Sequence, residues 1–167
     1  MKKNIKMKHI KFFENFQVYT NNGFWGTIGA GILPIAKDTK RILVPLRSDY
    51  VNEPNTYGVW GGMLDDMETN DPKKAAKTEF KEESGYSNKI EMIPAFVFKK
   101  TGDGGNDIFR YHNYIGIIET EFTPVLDWET KDYKWLTFNE LLDLEPKHFG
   151  LKSLINNSKE LIKKYSV

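Results

Sequence analysis

The chain has 167 residues, 40% of them hydrophobic and 14% aromatic. That is enough apolar side chain for one globular domain spanning residues 1–167, with 1–23 as an N-terminal extension. A formal charge of +1 predicts neither a nucleic-acid backbone nor an acidic membrane as partner, so a bound anion must be held by locally placed cations. Cysteine is absent, which excludes disulfides, thiolate metal sites and cysteine nucleophiles. The apolar runs fall short of a membrane span, and the lysine-rich residues 1–11 lack the apolar stretch of a signal peptide; a cytoplasmic location is the expectation.

Residues 24–36 are rich in β-branched, aromatic and glycine residues, and after the polar turn 37–40 a second such run covers 41–47, which predicts a hairpin. Segment 48–56 is polar and contains Pro54, and so reads as a loop. The short aromatic stretch 57–62 ends in two glycines. Asp71 and Pro72 mark a helix start, since an aspartate caps free amides and proline is pre-set for the first helical position; Gly85 supplies the stop. Residues 89–100 and 108–119 are strand-like, and the glycine-rich loop 101–106 joins them as a hairpin tip. A short strand over 132–138, a short helix over 139–144 and a longer helix from Gly150 complete the chain. In the last of these Leu151, Leu154, Ile155, Leu161, Ile162 and Tyr165 recur at helical spacing and form one stripe for docking on a core. Strands alternating with helices favour a mixed α/β layer fold.

The helix over 72–84 carries the chemical signal. At 100° per residue Glu79, Glu82 and Glu83 lie within an arc of about 100°, with Lys73, Lys74, Lys77 and Lys81 on roughly the opposite side. Ala76 and Phe80 lie beside the acidic arc and are expected to dock it on the core. A solvated helix gains from glutamate and lysine four apart, whereas here Glu79 stacks on Glu83 and Glu82, each like-charge pair costing about 0.2–0.5 kcal/mol. Such segregation wants a cation. Oxygen ligands without thiolate or histidine suit Mg²⁺ or Mn²⁺, and Mg²⁺ commonly shares its sphere with substrate phosphates, so a polyphosphate substrate is expected. His9, His112 and His148 lack ligand spacing and are assigned no metal.

These residues resemble the Nudix hydrolase signature: Gly62, five residues, Glu68, nine residues, then Thr78-Glu79-Phe80-Lys81-Glu82-Glu83-Ser84-Gly85-Tyr86. Two departures stand between the loop glutamate and the helix: two extra residues, and Thr78 where the family has arginine. Lys74, one turn earlier, is the candidate stand-in. The resemblance covers roughly residues 24–160 and implies an α/β/α sandwich with a mixed central sheet.

It further implies a hydrolase that cleaves a phosphoanhydride of a nucleoside triphosphate or a nucleoside diphosphate-linked compound. Glu79, Glu82, Glu83 and the Gly62 carbonyl would hold Mg²⁺ or Mn²⁺, Glu68 would support them, and Glu79, Glu83 and Glu129 are the catalytic candidates. Glu129 is the candidate general base, with Glu119 and Glu121 as weaker choices. Arg47, Lys99 and Arg110 are the phosphate-binding candidates. Tyr57, Trp60 and Phe109 are candidates for stacking on a base, against the alternative that strand aromatics are core residues. Two other readings stay open: a nucleotide sensor that binds without cutting, and an interaction domain in which residues 1–23 form a contact such as a homodimer interface. No membrane or nucleic-acid partner is expected.

Overall fold

Strand β1 (Thr27–Ala36) turns through residues 37–40 into β2 (Ile42–Arg47), and Ile35 pairs with Ile42 in antiparallel register. The Ala36 N–H donates to the Arg41 carbonyl at 3.0 Å and the Lys40 N–H to the Ala36 carbonyl at 2.9 Å, so the expected hairpin closes. The computed structural model describes residues 27–64, 71–105 and 107–167; the N-terminal extension and Glu68 lie outside the described residues.

Strand β3 (Trp60–Met63) lies along the other half of the β1 edge, pairing Gly61 with Gly31 and Gly62 with Ala30. It starts later than the aromatic stretch suggests, because Tyr57 is engaged in isolated bridges to Leu46 and Lys147. Strands β4 (Glu91–Thr101) and β5 (Asp107–Ile118) pair antiparallel around the glycine-rich tip, as expected. β5 then runs parallel to β1, placing Tyr111 opposite Gly29 and Asn113 opposite Gly31. β6 (Thr130–Leu136) adds antiparallel to β2, two residues ahead of its expected position. The sheet order is β4-β5-β1-β2-β6 with β3 on β1, a mixed sheet.

Helix α1 (Pro72–Ser84) begins where Asp71 Oδ1 accepts the Lys74 N–H at 3.0 Å. It ends at Gly85, whose φ of 75° lets its N–H reach the Lys81 carbonyl. Helix α2 (Phe138–Asp143) starts in a reciprocal capping box between Thr137 and Glu140. Helix α3 (Phe149–Ser166) is capped by the His148 imidazole and departs from helical geometry at Ser158.

Period-two alternation along β1 splits the core between the two sheet faces. Ile28, Ala30 and Ile32 join Leu43 and Trp60 beneath Ala75, Ala76 and Phe80 of α1. Leu33 and Ile35 join Val44, Ile115 and Ile117 beneath Leu151, Leu154, Ile155 and Ile162 of α3. Each fully buried aliphatic or aromatic side chain stabilises by about 1.5–3 kcal/mol. The predicted α3 stripe therefore docks, with Leu161 and Tyr165 packed at its margin. The result is the α/β/α sandwich the sequence implies, and its α1 side presents the acidic residues to the glycines of β3.

Candidate active site

Phe80 anchors α1 by packing edge-on against Trp60, ring centroids 5.7 Å apart. This fixes the helix rotation. Glu83 turns inward and is 4% exposed, Glu79 is half-buried and Glu82 is exposed. Two carboxylates then meet the two glycines of β3. The Gly61 N–H donates to Glu83 Oε2 at 3.1 Å. At Gly62 a Cβ would stand 3.2 Å from Glu79 Oε2, so a side chain there would crowd the carboxylate.

Glu83 is held well above the usual carboxylate range, first by burial and then by the negative charges of Glu129, Glu79 and Asp127; the Gly61 N–H opposes the shift. Glu129 and Asp127 belong to the segment leading into β6. That segment is fastened locally by the Glu129 N–H on Asp127 Oδ1 at 2.9 Å. It is also tied to the end of β2, where the Ser48 N–H donates to the Glu129 carbonyl at 2.9 Å. The sheet order that puts β6 beside β2 thus brings a late loop to the α1–β3 contact.

Arg47 lies at the end of β2. Its Nε and Nη2 donate to the Asn52 carbonyl at 2.8 and 2.6 Å, which holds the polar loop 48–56 closed. Burial pulls the guanidinium down from its ordinary value, while Tyr111, Glu53, Glu83 and Glu129 act in the opposite direction. Arginine remains charged under such a shift, so Arg47 is a cation within electrostatic reach of the acidic centre.

The donor set fits a hard divalent cation. It consists of carboxylate and carbonyl oxygens, and the negative charges of Glu129, Glu79 and Asp127 gathered around Glu83 are of the kind such an ion would neutralise. Among the described residues no three acidic or histidine side chains form a complete ligand cluster by themselves. Mg²⁺ does not require one, because it usually retains waters and recruits substrate phosphates.

Of the site residues expected from sequence, Glu79, Glu83, Glu129, Gly62 and Arg47 gather around this contact. Others do not. Trp60 cannot stack on a base: it is fully buried on the α1 side, and its Nε1 donates to the Leu43 carbonyl at 3.2 Å. Tyr57 is 8% exposed and belongs to the core on the α3 side, with Lys134 over its ring. Lys74, the candidate stand-in for the family arginine, lies exposed on a groove with Lys77, Thr78 and Lys81, on the opposite flank of α1 from Glu83. Lys99 and Arg110 are a register pair on β4 and β5, on the sheet face opposite Tyr111, where both act electrostatically on His112. Glu119 and Glu121 are committed elsewhere, to Lys37 at 2.6 Å and to Arg41 at 2.6 and 2.7 Å.

Two participants were missed. Asp127 precedes Glu129 by two residues, and this acidic pair ahead of the Trp135 segment was a visible cue. Tyr111 carried no local cue; its position depends on the parallel pairing of β5 with β1.

Comparisons with known proteins agree with this geometry. The NUDIX domain family model matches residues 26–157. No curated protein sequence matches the chain. Among solved structures, the chain resembles the Nudix hydrolase RenU of M. smegmatis with a TM-score of 0.71 at 20% identity, covering 92% of this chain and 98% of that one. It resembles the NUDIX domain of Shewanella oneidensis NrtR, solved with ADP ribose, with a TM-score of 0.63 at 15% identity, covering 92% and 97%. A C. elegans Ap4A hydrolase in a binary complex gives 0.62 at 16% identity, covering 83% and 99%. At such identities the structures establish the fold, while the family match covers most of the chain. The chain belongs to the Nudix hydrolase family.

Proposed function

We propose that this protein is a Mg²⁺- or Mn²⁺-dependent hydrolase that cleaves a phosphoanhydride bond in a nucleoside triphosphate or a nucleoside diphosphate-linked compound. The observation that carries the reading is the buried Glu83 carboxylate, bonded to the Gly61 N–H and surrounded by the charges of Glu129, Glu79 and Asp127. Burying that much like charge is costly unless a cation is bound. The ADP ribose and Ap4A named for two of the neighbours are compounds in which phosphates link nucleosides or sugars, which suits the same substrate class.

In this reading Glu79, Glu82, Glu83 and the Gly62 carbonyl would hold the ion. When bound, the ion supplies Lewis-acid neutralisation of the phosphate charge. Glu129 accepts the proton of the attacking water, a role suited to a half-buried carboxylate beside the acidic helix. Arg47 keeps loop 48–56 closed against the site edge and lends positive charge. On the α3 side of the sheet Phe98, Phe109 and Phe149 form an edge-to-face series, with Phe109 stacked on Tyr111, and offer apolar surface for a base. The chain would act as a single domain in the cytoplasm; among the described residues no helix is long and apolar enough to cross a membrane.

The test is incubation with Mg²⁺ and a panel of nucleotides, repeated with Glu83→Gln. The reading expects cleavage of at least one compound and its loss in the variant. Binding of a nucleotide without cleavage would replace the hydrolase with a sensor.

A further inference from the structure

Tyr111 occupies a cradle that three glycines on two strands vacate for it. On the parallel partner β1, a Cβ at Gly29 would strike the Tyr111 ring at 2.5 Å, and one at Gly31 would strike its hydroxyl oxygen at 2.5 Å. On β3 a Cβ at Gly61 would meet the same hydroxyl at 2.6 Å. The ring thus lies across β1 with its hydroxyl over β3. Each strand glycine costs about 0.5–1 kcal/mol relative to alanine; at Gly29 and Gly31 the atoms nearest the missing Cβ are those of Tyr111, while at Gly61 the Ala30 carbonyl oxygen is nearer still at 2.2 Å.

The hydroxyl end of the cradle is chemically unlike the ring end. It lies at Gly61, the residue whose N–H is held by Glu83. It is within electrostatic reach of Glu83, Glu79, Glu129 and Arg47, which come from three separate parts of the chain. The ring itself stacks on Phe109, centroids 6.4 Å apart. A phenol is protonated at neutral pH, and burial first, then the charges of Glu83, Glu79 and Glu129, hold the proton on more firmly against the opposing Arg47. A neutral O–H donor is therefore fixed at the border of an acidic centre.

A diphosphate brought to that centre meets repulsion from the carboxylates, and its oxygens need donors besides a cation. Two donor nitrogens of Arg47 are already committed to the Asn52 carbonyl. A phenol meets the need without adding positive charge that would compete with the ion. Building on the proposed hydrolase reading, we propose that the Tyr111 hydroxyl is a substrate-binding group that donates a hydrogen bond to the diphosphate of the bound compound.

Tyr111→Phe removes the hydroxyl and leaves the ring in its cradle, so the fold is retained and its melting temperature checks this. The probes are Mn²⁺ alone, and Mn²⁺ with methylenediphosphonate, a diphosphate mimic that water does not cleave. The proposal expects unchanged Mn²⁺ affinity and about ten- to a hundredfold weaker binding of the mimic, the effect of losing a hydrogen bond to a charged group. Equal binding of the mimic by both proteins overturns it. Loss of Mn²⁺ affinity also overturns it, because the hydroxyl would then serve a carboxylate rather than the substrate. A wild-type protein that binds the mimic but cleaves no nucleotide refutes the hydrolase reading while leaving the Tyr111 result standing. One that cleaves a nucleotide but binds no mimic refutes the Tyr111 proposal and leaves the hydrolase reading standing.

Discussion

Glu83→Gln separates stability from activity. In the cation-free protein the Glu83 carboxylate is buried with one backbone donor and three neighbouring negative charges. The effective penalty for a buried ion is several kcal/mol, limited here by partial protonation. Glutamine keeps the shape and can accept the Gly61 N–H, but that bond loses its charge assistance, worth about 1 kcal/mol. The net expectation is stabilisation by about 2 kcal/mol in excess EDTA at mildly alkaline pH. For a chain of this size that raises the melting temperature by about 4–8 °C. In saturating Mg²⁺ the order closes or reverses, because the wild type gains binding free energy that the variant lacks. Scanning calorimetry of both proteins in EDTA and in Mg²⁺ measures all four values. A variant less stable than wild type in EDTA, or one stabilised by Mg²⁺ as strongly as wild type, would refute the reasoning.

The two adjacent glycines of β3 should respond differently to alanine. At Gly61 the new Cβ would stand 2.2 Å from the Ala30 carbonyl oxygen, so Gly61→Ala should destabilise by about 3 kcal/mol or more, read as a lower denaturation midpoint. At Gly62 it meets only the Glu79 carboxylate, so Gly62→Ala should fold with near-native stability and lose activity about tenfold or more. Glu129→Gln should lower kcat far more than it changes KM; an unchanged kcat removes it as the base. His148 Nδ1 accepts the Gly150 N–H at 3.0 Å, a bond only the neutral ring can make, while Nε2 lies 2.6 Å from Glu53. Burial and Arg47 bring His148 from 6.5 down to about 4, so its contribution is complete above pH 6.5 and is lost as pH falls toward 4. Allowing for partial exposure and for Glu53, the loss is about 2 kcal/mol. His148→Asn, which caps without titrating, should flatten that part of the stability profile.

What the sequence made legible was governed by local rules. Asp71, Pro72 and Gly85 delimit α1 through capping chemistry that needs no partner strand, and the structure places all three as read. The helical wheel likewise sets Glu79 and Glu83 against Ala76 and Phe80, with Lys74 nearly opposite Glu83. Strand faces were harder. Trp60 and Tyr57 read as candidates for stacking with the core as the commoner alternative, because a shift of one residue moves a strand side chain to the other face. Long-range pairing decided it, sending Trp60 beneath α1 and Tyr57 beneath α3. The convergence of Glu129 and Asp127 on Glu83 depends on β6 joining β2, and the seat of Tyr111 depends on parallel pairing of β5 with β1. No short-range spacing encodes either.

If the carboxylates at the α1–β3 contact hold a divalent ion, anomalous diffraction from crystals grown with Mn²⁺ should show a peak within ligating distance of the Glu79, Glu82 or Glu83 carboxylates and beside Gly62. A fully occupied crystal in which Mn²⁺ binds elsewhere, with Glu83 still on the Gly61 N–H and no metal between the helix and β3, would contradict it.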